Sequence, residues 1–418
     1  MKNIFHSVRG TSDFYPPISF YFEDLVQKAK KIFKKFGYQP LILPHLEEEG
    51  LFKRSVGEAT DIVQKQMFKI EGKDIVLRPE GTAQVARFYI EKSFYKSREF
   101  SKFYYIGSMF RGERPQKGRL REFHHIGAEA IGSKSIYLDA EIIELASEIV
   151  KESGIKEYTL KVNSLGCCKD KLVLSELIQK RLSFYVSLLC DDCKKRLTVN
   201  PLRVLDCKKT DCKKIIGSLK IKNEHLCKNC KDDFYNFLKI LDEIGVSYVY
   251  DPYLVRGLDY YTNMVFEITS LSLGSCDALG AGGRYNELVR RLGGPDVGAV
   301  GFSLGLERMI LLLSKSLVIS SVDVFVVYTS NSVYNTAYKI LRELRNAEVS
   351  SVIDYNNKSL KAQLKSAQKF KVPFVVIVGD EEIKRNCVII RNMKKSIQEE
   401  IKHNELLRVL KERIKEYA

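Results

Sequence analysis

Between Phe110 and Phe123 the chain reads Phe-Arg-Gly-Glu-Arg-Pro-Gln-Lys-Gly-Arg-Leu-Arg-Glu-Phe, which places Arg111, Arg114, Arg119 and Arg121 within eleven residues. Arginine suits phosphate chemistry because its planar fork bonds two oxygens at once and keeps its charge. Strand-like runs flank the segment, and Pro115 and Gly118 turn it, so it reads as a hairpin. Its bases would carry Arg111 and Phe123, able to hold a nucleotide triphosphate against an aromatic face. Its basic tip would reach a second polyanion. Composition alone favours a plain solvated hairpin, so the surroundings must decide.

Cysteine gives a second constellation. Eight of the ten cysteines fall between Cys167 and Cys230. Cys190-Asp-Asp-Cys193 and Cys227-Lys-Asn-Cys230 are paired CxxC units with Cys207 and Cys212 between them, a spacing suited to a Cys₄ zinc site. The two pairs make Cys190, Cys193, Cys227 and Cys230 the expected ligands of a structural zinc. The competing reading is that small thiols pack the core of a separate unit. Disulfides are not expected inside a cell.

Of 418 residues, 45% are hydrophobic and 29% charged, an ordinary balance with chain enough for two or three domains and a sizeable core. The N-terminal stretch has no apolar signal region, and nowhere do about eighteen apolar residues run together. The expectation is no signal peptide, no membrane span and a cytoplasmic location. A formal net charge of +16 favours a polyanionic partner such as nucleic acid. Lysine runs such as Lys30-Lys31 and Lys34-Lys35 read equally well as solvated helix faces.

The elements that would position these groups follow from periodicity. Phe20 to Phe36 has helical spacing and ends at Gly37. Leu41-Ile42-Leu43 reads as a strand stopped by Pro44. Ile75 to Leu77, Phe103 to Phe110, Phe123 to Ile131 and Leu160 to Val162 read as strands, with a long helix over 137–152. Residues from about 165 to 250 are Lys- and Cys-rich, with helices around Leu172 to Leu188 and Phe234 to Ile244, and read as an insertion. Val265 to Ile268 is a strand, Gly280 to Gly283 a glycine-rich turn, Gly298 to Leu304 a strand and Leu306 to Leu313 a helix. From Val322 strands and helices alternate, which indicates a compact α/β domain. The last helix is expected over Ile397 to Lys415.

The Phe110–Phe123 segment resembles motif 2 of the class II aminoacyl-tRNA synthetases, in the form found in histidine–tRNA ligases. Gly298 to Arg308 resembles motif 3, and Leu41 to Glu58 the dimer-forming motif 1. Two further segments, Leu254-Val-Arg-Gly-Leu-Asp-Tyr-Tyr-Thr262 and Ala278-Leu-Gly-Ala-Gly-Gly-Arg-Tyr285, resemble the signature peptides of the histidine enzymes. With Arg78 to Thr82 and Ser359 to Leu364, the resemblance runs over nearly the whole chain.

That resemblance implies an α+β class II catalytic domain, an antiparallel sheet flanked by helices, over residues 1–320. The helical insertion at about 165–250 interrupts it, and an α/β anticodon-binding domain follows over 321–418. It implies a homodimer that activates L-histidine with ATP and Mg²⁺, then transfers it to the 3′ end of tRNA(His). Arg111 and Arg256 would be the catalytic cations on opposite sides of the α-phosphate. Glu113, Phe123 and Arg308 would complete the ATP site. Histidine would be held by Glu80, Gly81, Thr82, His125, Glu129, Arg256, Tyr260, Tyr261 and Tyr285. Glu80 and Thr82 would take the ammonium, Glu129 and Tyr261 the imidazole. Arg114, Gln116 and Arg121 would touch the tRNA acceptor end. No catalytic metal ligand is implied.

One departure from the family pattern is His125, where glutamine is usual. A neutral imidazole offers one acceptor to the ammonium, whereas a protonated one repels it. The expectation is that binding weakens below about pH 6.5. A catalytically silent relative, the regulatory subunit of ATP phosphoribosyltransferase, shares the scaffold but typically lacks the C-terminal α/β domain and has eroded signature peptides.

Overall fold

The computed structural model describes residues 5–58, 60–97, 100–313 and 322–417. Contacts divide the chain into two compact units, Met1–Lys315 and Ser316–Ala418. The boundary expected at 320/321 falls among residues 314–321, outside the described ones. Among the described residues no helix is long and apolar enough to cross a membrane.

The first unit is built on an eight-stranded sheet. Its order is Gln39–Pro40, Ser101–Phe110, Glu122–Ile131, Ala299–Gly305, Ala278–Arg284, Thr262–Thr269, Thr159–Ser164, Val249–Tyr250. All neighbours run antiparallel except the two short edge strands, which pair in parallel. Successive side chains on a strand point to opposite faces, and the sequence uses that alternation strictly. Ile126, Ala128 and Ala130, Val300, Phe302 and Leu304, and Met264, Phe266 and Ile268 all enter one core. There they meet the helices Ile18–Lys35 and Ile136–Glu152, which contribute Leu25, Ala29, Phe33, Ile142, Leu145 and Ile149. The other face carries Phe123, His125, Ser303 and Gly305 toward an open cleft.

Two readings of the sequence are corrected in this unit. Gly280 to Gly283 is no turn but the middle of the strand Ala278–Arg284. The glycines are there for space: a Cβ on Gly282 would lie 2.3 Å from the carbonyl oxygen of Gly301 and 2.7 Å from Cβ of Phe302. Leu41 to Leu43 form no strand, since the short strands lie on either side, at Gln39–Pro40 and Leu46–Glu48.

The insertion packs on this unit as helices Cys168–Leu182, Asp191–Val199, Thr210–Ser218 and Lys228–Glu243 with short 3₁₀ turns between. It overturns the expected zinc ligands. Cys190 and Cys193 gather with Cys207 and Cys212, whereas Cys227 and Cys230 gather with Cys167 and Asp170. Each CxxC pair opens a different helix, Asp191–Val199 or Lys228–Glu243, so the two do not meet on one ion.

In the second unit a five-stranded mixed sheet runs in the order Ser351–Ile353, Val324–Tyr328, Phe374–Val378, Cys387–Asn392, Ile397–Lys402. Val324–Tyr328 is buried on both faces, as a central parallel strand is. Val324 and Val326 face helices Tyr334–Asn346 and Leu406–Tyr417, while Phe325 and Val327 face helix Leu360–Lys369. Ile397–Lys402 is an edge strand rather than the start of the last helix, which begins at Leu406. Its largely exposed, charged residues carry little strand signal, and Ile397 and Ile401 mimic a helical repeat.

Gly282→Ala is expected to destabilise the first unit by about 1–3 kcal/mol through overpacking. Gly217→Ala, in a helix with nothing within 4 Å of the added carbon, should be neutral or stabilising. Denaturant midpoints of the two variants check this contrast.

Candidate active site

The cleft on the open sheet face encloses about 1130 Å³ including its mouth. Four arginines line it, Arg111, Arg119, Arg256 and Arg308, together with Phe123, Glu80, Thr82, Glu113, His125, Tyr260 and Tyr261. Segments far apart in sequence are thus brought to one place by strand pairing.

Arg111 follows the strand Ser101–Phe110, and Phe123 lies at the start of Glu122–Ile131, the next strand. The Arg111 guanidinium sits 5.2 Å over the Phe123 ring and donates from Nε to the carbonyl of Pro79 at 2.9 Å. Arg308 opens the helix Leu306–Leu312 and is fixed by bonds from Nε to Gly118 O at 2.8 Å and from Nη1 to Ala278 O at 2.6 Å. Glu113 pairs with Arg119 at 3.2 Å. Arg256 donates from Nη1 to Glu267 at 2.5 Å, and its Nε is buried with no partner. A buried donor left unpaired is costly and uncommon, so that nitrogen is an opening for a ligand.

A second group beside the cleft is built around a carboxyl without exposure. Glu129 accepts from Thr82 Oγ1 at 2.6 Å, Tyr285 OH at 2.5 Å and Tyr105 OH at 3.3 Å. Burial pushes its pKa up to about 8, against the pull of these hydroxyls. At neutral pH it is mainly uncharged. Gly301 makes room for it, since a Cβ there would come 1.7 Å from Oε2. Glu80 accepts from the backbone N–H groups of Thr82 at 2.7 Å and Ala83 at 2.9 Å, capping the helix Thr82–Glu91. Burial raises its pKa as well. Tyr260 and Tyr261 stand side by side with ring centroids 4.7 Å apart, and Tyr260 meets Tyr285 edge-on at 5.7 Å.

Not every expected residue reaches the cleft. Glu129 and Tyr285 lie beneath its lining, and Gly81 is packed against the Tyr105 ring, 2.4 Å from where its Cβ would be. Arg114 and Gln116 are exposed at the hairpin tip. Arg121 is occupied locally, donating from Nε to Glu113 O at 3.3 Å and from Nη1 to Arg9 O at 3.3 Å. Three residues have roles that the sequence did not suggest. Glu267 holds Arg256, Tyr105 roofs Glu129, and Glu307 accepts from His124 N at 2.9 Å and contacts its ring Nδ1 at 2.7 Å. Glu267 and Tyr105 occupy regular strand positions without a motif of their own. Glu307 lies beside a motif arginine, but its partner is 183 residues away.

His125 lines the cleft, and its Nδ1 is buried without a partner. Burial, then Arg111, Arg308 and Arg78, hold its pKa well below 6.5. That direction moves the titration below the threshold expected from an unperturbed imidazole. At pH values just below 6.5 the ring therefore still carries no charge. The ratio of histidine KM between the wild-type chain and His125→Gln should therefore stay constant from about pH 8 to about 5.5. A ratio that climbs as pH falls through about 6.5 would restore the unperturbed titration.

Comparisons with known proteins agree on one family. The profile described as "Histidyl-tRNA synthetase" matches residues 10–187 and 200–309, and that described as "Anticodon binding domain" matches 323–413. The histidine–tRNA ligase of Thermodesulfovibrio yellowstonii is 41% identical over 409 residues, covering 97% of each chain. That of Thermosipho melanesiensis is 40% identical over 420 residues, covering 99% of this chain and 100% of its own. The crystal structure of apo histidyl-tRNA synthetase from S. aureus aligns with a TM-score of 0.79 at 30% identity, covering 98% of this chain and 100% of that one. The chain belongs to the histidyl-tRNA synthetase family of aminoacyl-tRNA ligases.

Proposed function

We propose that the cleft activates L-histidine with ATP and that the chain then charges tRNA(His) with it. The observation that carries this reading is the convergence of Arg111, Arg256, Arg308 and Phe123 on one cleft, with Arg256 Nε and His125 Nδ1 buried and unpartnered. Adenine stacks on Phe123, and Arg308 holds the γ-phosphate end. A histidine carboxylate oxygen attacks the α-phosphorus. The bond to the bridging oxygen breaks and pyrophosphate leaves with the electron pair. Arg111 on one side and Arg256 on the other stabilise the charge that grows on the α-phosphoryl oxygens, an effect strongest in a cleft shielded from water.

Glu113 and Glu307, the remaining carboxylates of the cleft, would hold the Mg²⁺ that accompanies ATP, which would offset phosphate charge. Thr82 and Glu80 receive the ammonium, with His125 Nδ1 as a further acceptor in the tautomer protonated at Nε2. Tyr261 bonds the imidazole, Tyr260 walls the pocket, and Glu129 acts through the hydroxyls of Thr82 and Tyr105. Polar groups left unpaired by a wrong side chain are what reject it. In the second step a terminal ribose hydroxyl of the tRNA attacks the acyl carbon and expels AMP. Arg114 and Gln116 at the exposed tip, with Arg121 at its base, face the acceptor end, and the 323–413 domain reads the anticodon. A homodimer is supported by Ile42, 96% exposed, and Leu46, 51% exposed, in the motif 1 segment. Its setting is the cytoplasm.

Histidine-dependent ATP–pyrophosphate exchange tests the reading. The wild-type chain should exchange with histidine alone among the amino acids. Arg256→Ala should lower kcat about 10²–10³-fold while shifting the histidine KM far less. A chain that binds histidine but supports no exchange would overturn the proposal.

A further inference from the structure

Outside the cleft, the densest set of potential ligands lies in the insertion. Cys190 caps the helix Asp191–Val199, and Cys193 sits in its first turn. Cys207 follows the 3₁₀ turn Pro201–Val204, and Cys212 lies in the first turn of Thr210–Ser218. These four sulfurs lie within 4.8 Å of one another, with Cys190 and Cys207 4.0 Å apart. Cys193, Cys207 and Cys212 are buried. A tetrahedral zinc with Zn–S bonds of about 2.3 Å sets its sulfurs about 3.8 Å apart. The observed spacing is thus close to that of a tetrathiolate cage. Pairwise disulfides would need sulfurs at about 2.05 Å and would not explain why four converge.

The sequence around the four sulfurs supports an ion. Zinc with four thiolates carries two net negative charges; six lysines (Lys194, Lys195, Lys208, Lys209, Lys213 and Lys214) against four aspartates (Asp191, Asp192, Asp206 and Asp211) flank these cysteines, a surplus of two positive charges. The second group, Cys167, Asp170, Cys227 and Cys230, has another explanation. There Asp170 accepts from Cys227 N at 3.0 Å and Cys167 N at 3.2 Å, so capping of two helices accounts for the convergence.

We infer that Cys190, Cys193, Cys207 and Cys212 bind one structural zinc ion that stiffens the edge of the insertion facing the Arg256 loop. Between Cys193 and Cys207 lie Asn200, which donates to Asp259 Oδ1 at 2.9 Å, and Arg203, which donates to Gly257 O at 3.1 Å. Those two bonds tie the metal-closed segment to residues directly after Arg256. The ion would thereby fix the loop without touching substrate.

The test uses the full chain, purified under reducing conditions and passed over a weak chelating resin before elemental analysis. One equivalent of zinc is expected, retained by Cys227→Ser and Cys230→Ser and lost from Cys207→Ser and Cys212→Ser. Cobalt added to stripped wild-type protein should give the thiolate charge-transfer and tetrahedral d–d bands of a four-sulfur site, a readout that does not depend on the variants folding. Stripping should lower exchange kcat several-fold, with recovery on adding zinc. Metal-free reduced wild-type protein with no cobalt–thiolate bands, or zinc that survives Cys207→Ser, would overturn the site. Unchanged kcat in stripped protein would overturn its link to the Arg256 loop.

Discussion

The strand Glu122–Ile131 has to serve two solvents at once. It is paired along its whole length with Ser101–Phe110 and, from His125 to Ile131, with Ala299–Gly305. Its register therefore cannot slip by one residue without turning Ile126, Ala128 and Ala130 out of the helix-packed core. The same register sends Phe123, His125 and Glu129 to the opposite face. The hydrophobic requirement of one side fixes the chemistry of the other. Thr262–Thr269 repeats the arrangement, since Met264, Phe266 and Ile268 are core residues while Glu267 points back to Arg256.

Such a surface can be polar only where backbones come close enough to leave room. Gly127 lies under the Tyr105 ring, 2.3 Å from where its Cβ would be, and Gly301 lies under Glu129. These absences of side chain let Tyr105, Thr82 and Tyr285 converge on one uncharged carboxyl and make a rigid floor. The arginines of the cleft are held in two ways. Arg111 and Arg308 are held by backbone carbonyls, which position a guanidinium without neutralising it. Arg256 is held by a carboxylate instead, so its charge is partly balanced.

Much of this was legible because function sits in contiguous segments. The four arginines of the hairpin, Phe123, and the Tyr260–Tyr261 pair are spelled out locally, and the alternation of strands around them follows from period-two patterning. What was not legible depends on the third dimension. Glu267 and Tyr105 carry no local signal, because what gives each its role is a partner chosen by sheet register. Gly280 to Gly283 looked like a turn because glycine signals conformational freedom in one dimension. In the fold it signals crowding. The cysteine pairs looked like mates because their motifs match, yet each pair opens a separate helix. Ile397 to Lys402 looked helical because an exposed edge strand has no buried face to impose alternation.

The proposed adenylation needs a phosphoryl group between Arg111 and Arg256, with Glu129 uncharged. A crystal structure with a non-hydrolysable histidyl-adenylate analogue tests that most directly. It should show adenine on Phe123, both arginines on the phosphate mimic, with Arg256 Nε now paired, and the imidazole against Tyr261 with Glu129 still covered. An analogue bound with Arg256 paired to Glu267 alone, or with its imidazole away from Tyr261, would contradict the account.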